Sequence, residues 1–336
     1  MNDTHINTTV YAQKVELLLR LMPIIMEEGV FAVHGGTAIN LFLKNLPRYS
    51  VDIDLTYIPL ADRSASIEDI NTHLKSISEK AKKAFKGMHV VPNYSTCKLL
   101  CEYRGKQVKV EVNQTKRGIV GGDVIVQPLS DKAQEEFGLY CEAHIVPLTQ
   151  LYGGKIAAAL SRQHPRDLFD VKYMNVPIAD CREGLIFCLL GSDRPIHESF
   201  APSLIDQRAA MVNQFDGMTD IPFTYEEFEQ TRSKLIEDVN TLMTDEDKRF
   251  LVSFEKVNRA GEKFSPDQII GTLQDMNFLK VTGEGHIPTY TRTDLTNHLH
   301  GSAGFRTDTQ IVTKKAMKSI IASIKTSKDE KDNDEA

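Results

Sequence analysis

The chain has 336 residues, 41% apolar and 26% charged, with a formal net charge of −6, a size that suits two domains or one large domain with an appendage. No apolar run approaches a membrane span, and MNDTHINTTVYAQKVELLL lacks the basic-then-apolar layout of a secretion signal, so no membrane partner and a cytoplasmic location are expected. Five scattered cysteines (Cys97, Cys101, Cys141, Cys181, Cys188) suit reduced thiols rather than a disulfide framework.

Residues 10–28 repeat apolar side chains at helical spacing, with Pro23 a kink or break. VFAVH (30–34) predicts a buried strand ending at Gly35-Gly36, and TAINLFLKN (37–45) a helix with Thr37 near its cap. VDIDLTYI (51–58) predicts a strand, and IEDINTHLKSISEKAKKAFKG (67–87) an amphipathic helix closed by Gly87. KLLCEYRG and KQVKVEVNQ predict a hairpin turning near Gly105-Lys106, and DVIVQPL (123–129) another strand. From Pro147 the texture becomes helical, through PLTQLYGGKIAAALSRQ, RDLFDVKYM, IADCREGLIFCLL, YEEFEQTRSKLIEDVNTLM, TDEDKRFLVSFEKVN and TDTQIVTKKAMKSIIASI. The expected fold class is α/β (α+β): a mixed sheet with helices over 1–147, a mainly helical domain over 148–324 and a disordered polar tail over 325–336.

Within the strand at 51–58, alternation puts Asp52 and Asp54 on one face and Ile53 and Leu55 on the other. Two close carboxylates repel each other, and each is costly to desolvate alone. A divalent cation removes both problems, because Mg²⁺ favours carboxylate oxygens and leaves positions open for substrate phosphates. In VKVEVNQ the same alternation turns Val108, Val110 and Val112 inward, with Lys109, Glu111 and Asn113 opposite. If this strand lies beside the first, Glu111 completes a three-carboxylate cluster of the kind that supports two-metal phosphoryl chemistry. The bland reading is an exposed edge strand with solvated acids.

The residues upstream narrow the choice. Gly35-Gly36 between a strand and a helix presents backbone N–H groups to an anion, and Arg48 and Ser50 stand ready to add contacts to a triphosphate. His34, just before the glycines, reads either as a nucleotide contact or, more simply, as a strand-end histidine bonded to backbone. Between Asn71 and Val120, 11 Lys/Arg face three acids, which reads either as a phosphate-attracting segment or as a solvated helix with polar hairpin edges.

GGTAINLF…PRYSVDIDLTY resembles motif I of the AbiEii/AbiGii-type abortive-infection toxins, a branch of the nucleotidyltransferases of the polymerase-beta superfamily, with Thr37 where the superfamily has serine. LTQLYGGKIAAALSRQHPRDLFDVKYM (148–174) is similar to the branch's downstream motifs. The resemblance, over about 15–175, implies a nucleotidyltransferase-like sheet and the following roles. Gly35, Gly36, Thr37, Arg48 and Ser50 would hold the triphosphate. Asp52, Asp54 and Glu111 would bind Mg²⁺, two ions in all, although the third carboxylate is more often aspartate. Lys155 and Arg162 would contact the nucleotide, and Asp167 and Asp170 match the later acidic motif without a choice between them. Read without the resemblance, Lys155 is a solvated helix residue and Asp167 a helix cap.

The function so implied is transfer of a nucleoside monophosphate from an NTP to an acceptor hydroxyl. The enzyme would be a toxin restrained by a cognate antitoxin in phage defence, acting on RNA such as a tRNA 3′ end. Two alternatives stand beside it: AMP transfer to a protein or small-molecule hydroxyl, and a non-catalytic nucleotide-binding module.

Overall fold

The computed structural model describes residues 3–260 apart from residues 60, 62 and 193. The helix expected near 307–324 and the tail 325–336 lie outside the described residues.

Helix α1 (Asp3–Met26) runs through Pro23 without a break. Its apolar stripe of Leu18, Leu21, Met22 and Ile25 is fully buried on both sides of the proline. Burial of that stripe outweighs the one backbone bond that proline forfeits. β1 (Phe31–His34) follows, then a short α2 (Gly35–Thr37) continuous with a π-helical turn, Ala38–Leu43. The helix therefore opens two residues earlier than expected, with His34 rather than Thr37 at its N-cap position. β2 (Ile53–Tyr57) starts one residue after Asp52, and α3 (Arg63–Ala84) is the expected amphipathic helix.

The sheet is completed by β3 (His89–Asn93), β4 (Lys98–Tyr103), β5 (Lys106–Val112), β6 (Ile125–Pro128) and, after α4 (Asp131–Phe137), β7 (Glu142–Ile145). Its order is β3-β4-β5-β2-β1-β7-β6. The β4–β5 hairpin is antiparallel, as the sequence indicates, while β5 joins β2 in parallel. β3, α4 and β7 were not legible in the sequence: each is short, and β3 at the sheet edge is largely exposed.

All strands among the described residues precede Pro147; helices follow. These are α5 (Leu148–Arg162), α6 (Pro165–Lys172), α7 (Arg182–Leu190), the single turn α8 (Arg208–Ala210), α9 (Tyr225–Leu242) and α10 (Asp245–Ala260). A complete capping box, Thr224 with Glu227, starts α9. Among the described residues no helix is long and apolar enough to cross a membrane. All five cysteines are free and buried.

α5 and α7 touch backbone to backbone. A Cβ on Gly153 would lie 2.3 Å from the Gly184 carbonyl carbon, and one on Gly184 would lie 2.0 Å from the Thr149 carbonyl oxygen. Alanine is the better helix former by roughly 1 kcal/mol, so propensity alone would make Gly184→Ala stabilising. The clash reverses the sign: Gly184→Ala is expected to destabilise by about 1–3 kcal/mol. Urea titration checks this, and a midpoint at or above wild type would refute the close contact.

Candidate active site

Strand pairing assembles the site. His34 stands opposite Asp54 across the β1–β2 ladder, and Asp54 stands beside Glu111 across the β2–β5 ladder. Because Ile53 and Leu55 are fixed in the core, as are Val108, Val110 and Val112, Asp52, Asp54, Lys109 and Glu111 must face the other way. They line a cleft of about 450 Å³ whose far wall is built from α5 and α6.

The double glycine is needed at this point. Gly35 adopts φ +70°, and a Cβ there would sit 2.9 Å from the Asp54 Oδ2 atom. A Cβ on Gly36 would sit 2.7 Å from the Arg48 Nη2 atom and 2.9 Å from the Ser50 hydroxyl. Any side chain here would displace the carboxylate or the guanidinium. Thr37 is not a cap: its hydroxyl donates to the Asp52 carbonyl at 2.5 Å and lies 3.1 Å from the Ser50 hydroxyl. It ties the start of the helix to the backbone that carries the carboxylates.

Behind the glycines lies a buried ion network. Arg48 donates through Nε and Nη2 to the two oxygens of Asp170, at 2.7 and 2.5 Å, and through Nη1 to the Tyr49 carbonyl. Asn40, fully buried, donates to the Gly36 carbonyl and Asp170. Lys155 places its ammonium 2.9 Å from Asp170 and 3.0 Å from Asp167. Asp167 also accepts two bonds from Arg162, at 2.5 and 2.9 Å. Burial alone would push both aspartates up, but Arg48 and Lys155 hold Asp170 below its ordinary range, and Lys155 and Arg162 do the same for Asp167.

Several expectations change accordingly. Lys155 is buried, not solvated. Asp167 does not cap α6, since His164 fills that position with a side chain accepting from the Arg166 N–H. The Arg48 guanidinium is committed to Asp170 rather than presented to a triphosphate, and Arg162 is committed to Asp167.

The carboxylate face differs in kind. Among the described residues no hydrogen bond or ion pair engages the Asp52 or Asp54 side chain. Burial, then repulsion from Asp52, raises the Asp54 pKa, with Glu111 adding to the repulsion. Glu111 is the neighbour of Asp54 in register, but its carboxylate is held by Lys98 at 3.0 Å and Lys109 at 2.9 Å. Burial pushes it up; the two lysines bring it below its usual range. Among the described residues no set of three His, Cys, Asp or Glu side chains stands at metal-holding distances. Two uncompensated carboxylates opening on a cleft still fit Mg²⁺, which is commonly held by one or two carboxylates plus substrate phosphates.

His34 is not bonded to backbone through its ring: Nδ1 is buried without a partner, and the ring packs where a Gly154 Cβ would meet it at 2.8 Å. Burial, reinforced by Lys116 and Lys155, lowers its pKa to about 3, so it is neutral. The sequence offered Lys116 only within a stretch, NQTKR, that suits substrate contact or a plain loop, and the structure puts it on the cleft; Asn40 and Arg166 were given no role. Asn40 left a signal, being the one polar residue in AINLFL; Arg166 was overlooked as the mere neighbour of Asp167.

A double-glycine helix start packed against a paired carboxylate strand, on a mixed sheet backed by helices, is the architecture of a nucleotidyltransferase. The model of the family described as "Nucleotidyl transferase AbiEii toxin, Type IV TA system" matches residues 16–258, well past the reach of the two motifs, and the chain belongs to that family. It is a nucleotidyltransferase of a toxin–antitoxin family, which implies an NTP substrate and an antitoxin partner. Among solved structures it is similar to MenT4, a nucleotidyltransferase toxin from Mycobacterium tuberculosis H37Rv. The TM-score is 0.57 at 14% identity, covering 82% of this chain and 95% of that one, a likeness of fold. No curated protein sequence matches the chain.

Removing one partner of a buried ion pair costs about 3–5 kcal/mol, so Asp170→Asn should lower stability by that order. Because Asp167 and Asp170 are depressed, their contribution is present above the unfolded carboxylate range, near 4, and is lost as pH falls through their folded values. Wild type should therefore lose stability below about pH 4, and Asp170→Asn should lose less of it there; parallel pH profiles from denaturant titrations would contradict this.

Asp54 carries the opposite sign. Its raised pKa contributes stability fully present below the unfolded value and lost as pH rises through the folded one. At pH 7.5 without metal, Asp54→Asn should melt higher than wild type, while Mg²⁺ should raise the melting temperature of wild type only. A Mg²⁺ shift of equal size in Asp54→Asn would remove Asp54 from the metal site.

Proposed function

We propose that this nucleotidyltransferase uses Mg²⁺ to transfer a nucleoside monophosphate from an NTP to an RNA hydroxyl, with a tRNA 3′ end as the acceptor class. The observation that carries the reading is the pair of unpartnered carboxylates, Asp52 and Asp54, set against Gly35-Gly36 at the floor of the cleft.

Asp52 and Asp54 would hold the metal, two ions if Glu111 turns to join them; bound Mg²⁺ supplies charge stabilisation at the reacting phosphate. The Gly35 and Gly36 N–H groups and the Ser50 hydroxyl would receive phosphate oxygens, while Thr37 fixes the loop. Lys155 has three donors, of which Asp167 and Asp170 take two; the third is free to reach a nucleotide in the cleft it lines. Arg48, Arg162, Asp167 and Asp170 act by holding Lys155 and the glycine loop in place.

In the transfer, the acceptor oxygen bonds to the α-phosphorus, the bond to the bridging oxygen of the β-phosphate breaks, and pyrophosphate leaves. The acceptor's proton passes to Glu111. This suits an RNA acceptor: its phosphates would draw Lys98 and Lys109 away from Glu111, removing the two contacts that depress its pKa. Lys116 on the same cleft adds positive charge at the acceptor's approach.

Incubation with each radiolabelled NTP, Mg²⁺, and total RNA or lysate tests this. Label should enter RNA with wild type, and transfer and growth inhibition should both vanish in Asp52→Ala and Asp54→Ala, which keep the fold. Label in protein or a small molecule would reassign the acceptor. Toxicity retained without transfer would separate the chemistry from the biology.

A further inference from the structure

The cleft holds more cationic side chains than the phosphates of one nucleotide can use, but most are already engaged. Arg48 is bound to Asp170, Arg162 to Asp167, Lys155 to both aspartates, and Lys109 to Glu111. Two cleft-lining cations have no side-chain hydrogen bond or ion pair among the described residues: Lys116 and Arg166. Lys116 acts on His34 and Cys188, whereas Arg166 feels Asp167 and then Asp52.

Arg166 occupies the first turn of α6, whose start is fixed by Pro165 and by the His164 side chain. It is half-buried, and its five N–H donors meet no acceptor among the described residues. Burial and the adjoining guanidinium of Arg48 lower its pKa, so the site gains from an incoming anion. Arg166 and Asp52 line the same cleft, and among the described residues no ion pair joins them.

Resting on the nucleotidyltransferase reading above, we propose that Arg166 is the guanidinium that grips the β- and γ-phosphates of the NTP, the task the sequence pattern gives to Arg48. The division follows from position. The α-phosphate must lie at the Asp52–Asp54 metal site, where its bond to the leaving pyrophosphate breaks. Arg166, on the α6 wall of the same cleft as Asp52, would meet the phosphates that depart. A planar fork of donors suits that bidentate task better than an ammonium does.

Equilibrium binding of α,β-methylene NTP analogues with Mg²⁺, alongside the matching NMP, tests the proposal on wild type, Arg166→Lys, Arg166→Gln and Arg166→Ala. Loss of the contact should weaken NTP binding roughly 10- to 100-fold, with Arg166→Lys between, and NMP binding should change less than threefold. Melting temperatures should stay near wild type, because no protein partner is lost; should Arg166→Ala not fold, the Lys and Gln variants carry the comparison. NTP affinity kept within twofold, or equal losses for NTP and NMP, would overturn the role of Arg166. If wild type itself binds no analogue, the failure is that of the nucleotidyltransferase reading.

Discussion

The structure turns on one buried carboxylate. Asp170 receives Arg48 from the loop before β2, Asn40 from the π-helical turn and Lys155 from α5, all out of water. Each charge is costly to desolvate alone, and the group is tolerable because nearly every donor meets an acceptor. The network joins the sheet, which carries Asp52 and Asp54, to the helices that form the far wall of the cleft. A fixed distance between those two walls is what in-line chemistry on a phosphate requires.

The two walls are built on opposite principles. On the helical side, Lys155, Arg162, Asp167 and Asp170 are matched within the protein, and Arg166 alone of the cleft-lining cations there has no side-chain partner among the described residues. On the sheet side, Asp52 and Asp54 are left uncompensated, and Gly35 admits the Asp54 carboxylate against the backbone where any other residue would push it aside. Unmatched charge is ordinarily costly in a buried position, and its concentration beside a cleft marks a candidate functional site. Glu111 falls between the two, neutralised by lysines that a polyanion can draw away.

What the sequence disclosed follows the range of the interactions involved. Alternation in VDIDLTY and VKVEVNQ was enough to place Asp52, Asp54 and Glu111 on one face, because period-two patterning is local and the valines have only one way to be buried. The parallel register that sets Asp54 beside Glu111 was stated only as a condition, since nothing local decides which strands become neighbours. Arg48 was misread for the same reason. An arginine next to a phosphate loop is read as a phosphate ligand unless its partner is known, and that partner lies 122 residues away. Thr37 was read as a cap, because a threonine at a helix start usually is one, whereas here His34 stands in that position and Thr37 donates to the Asp52 carbonyl. β3, α4 and β7 were missed as short segments with weak periodicity.

The span between Arg48 and Asp170 bears on the order in which the cleft is built. While the chain is being synthesised, the glycine loop, Asp52 and Asp54 leave the ribosome long before α6 does. Until α6 emerges, Arg48 lacks Asp170, Lys155 lacks both of its aspartates and the second wall of the cleft is incomplete. The cleft is therefore assembled only once the chain has been made through α6.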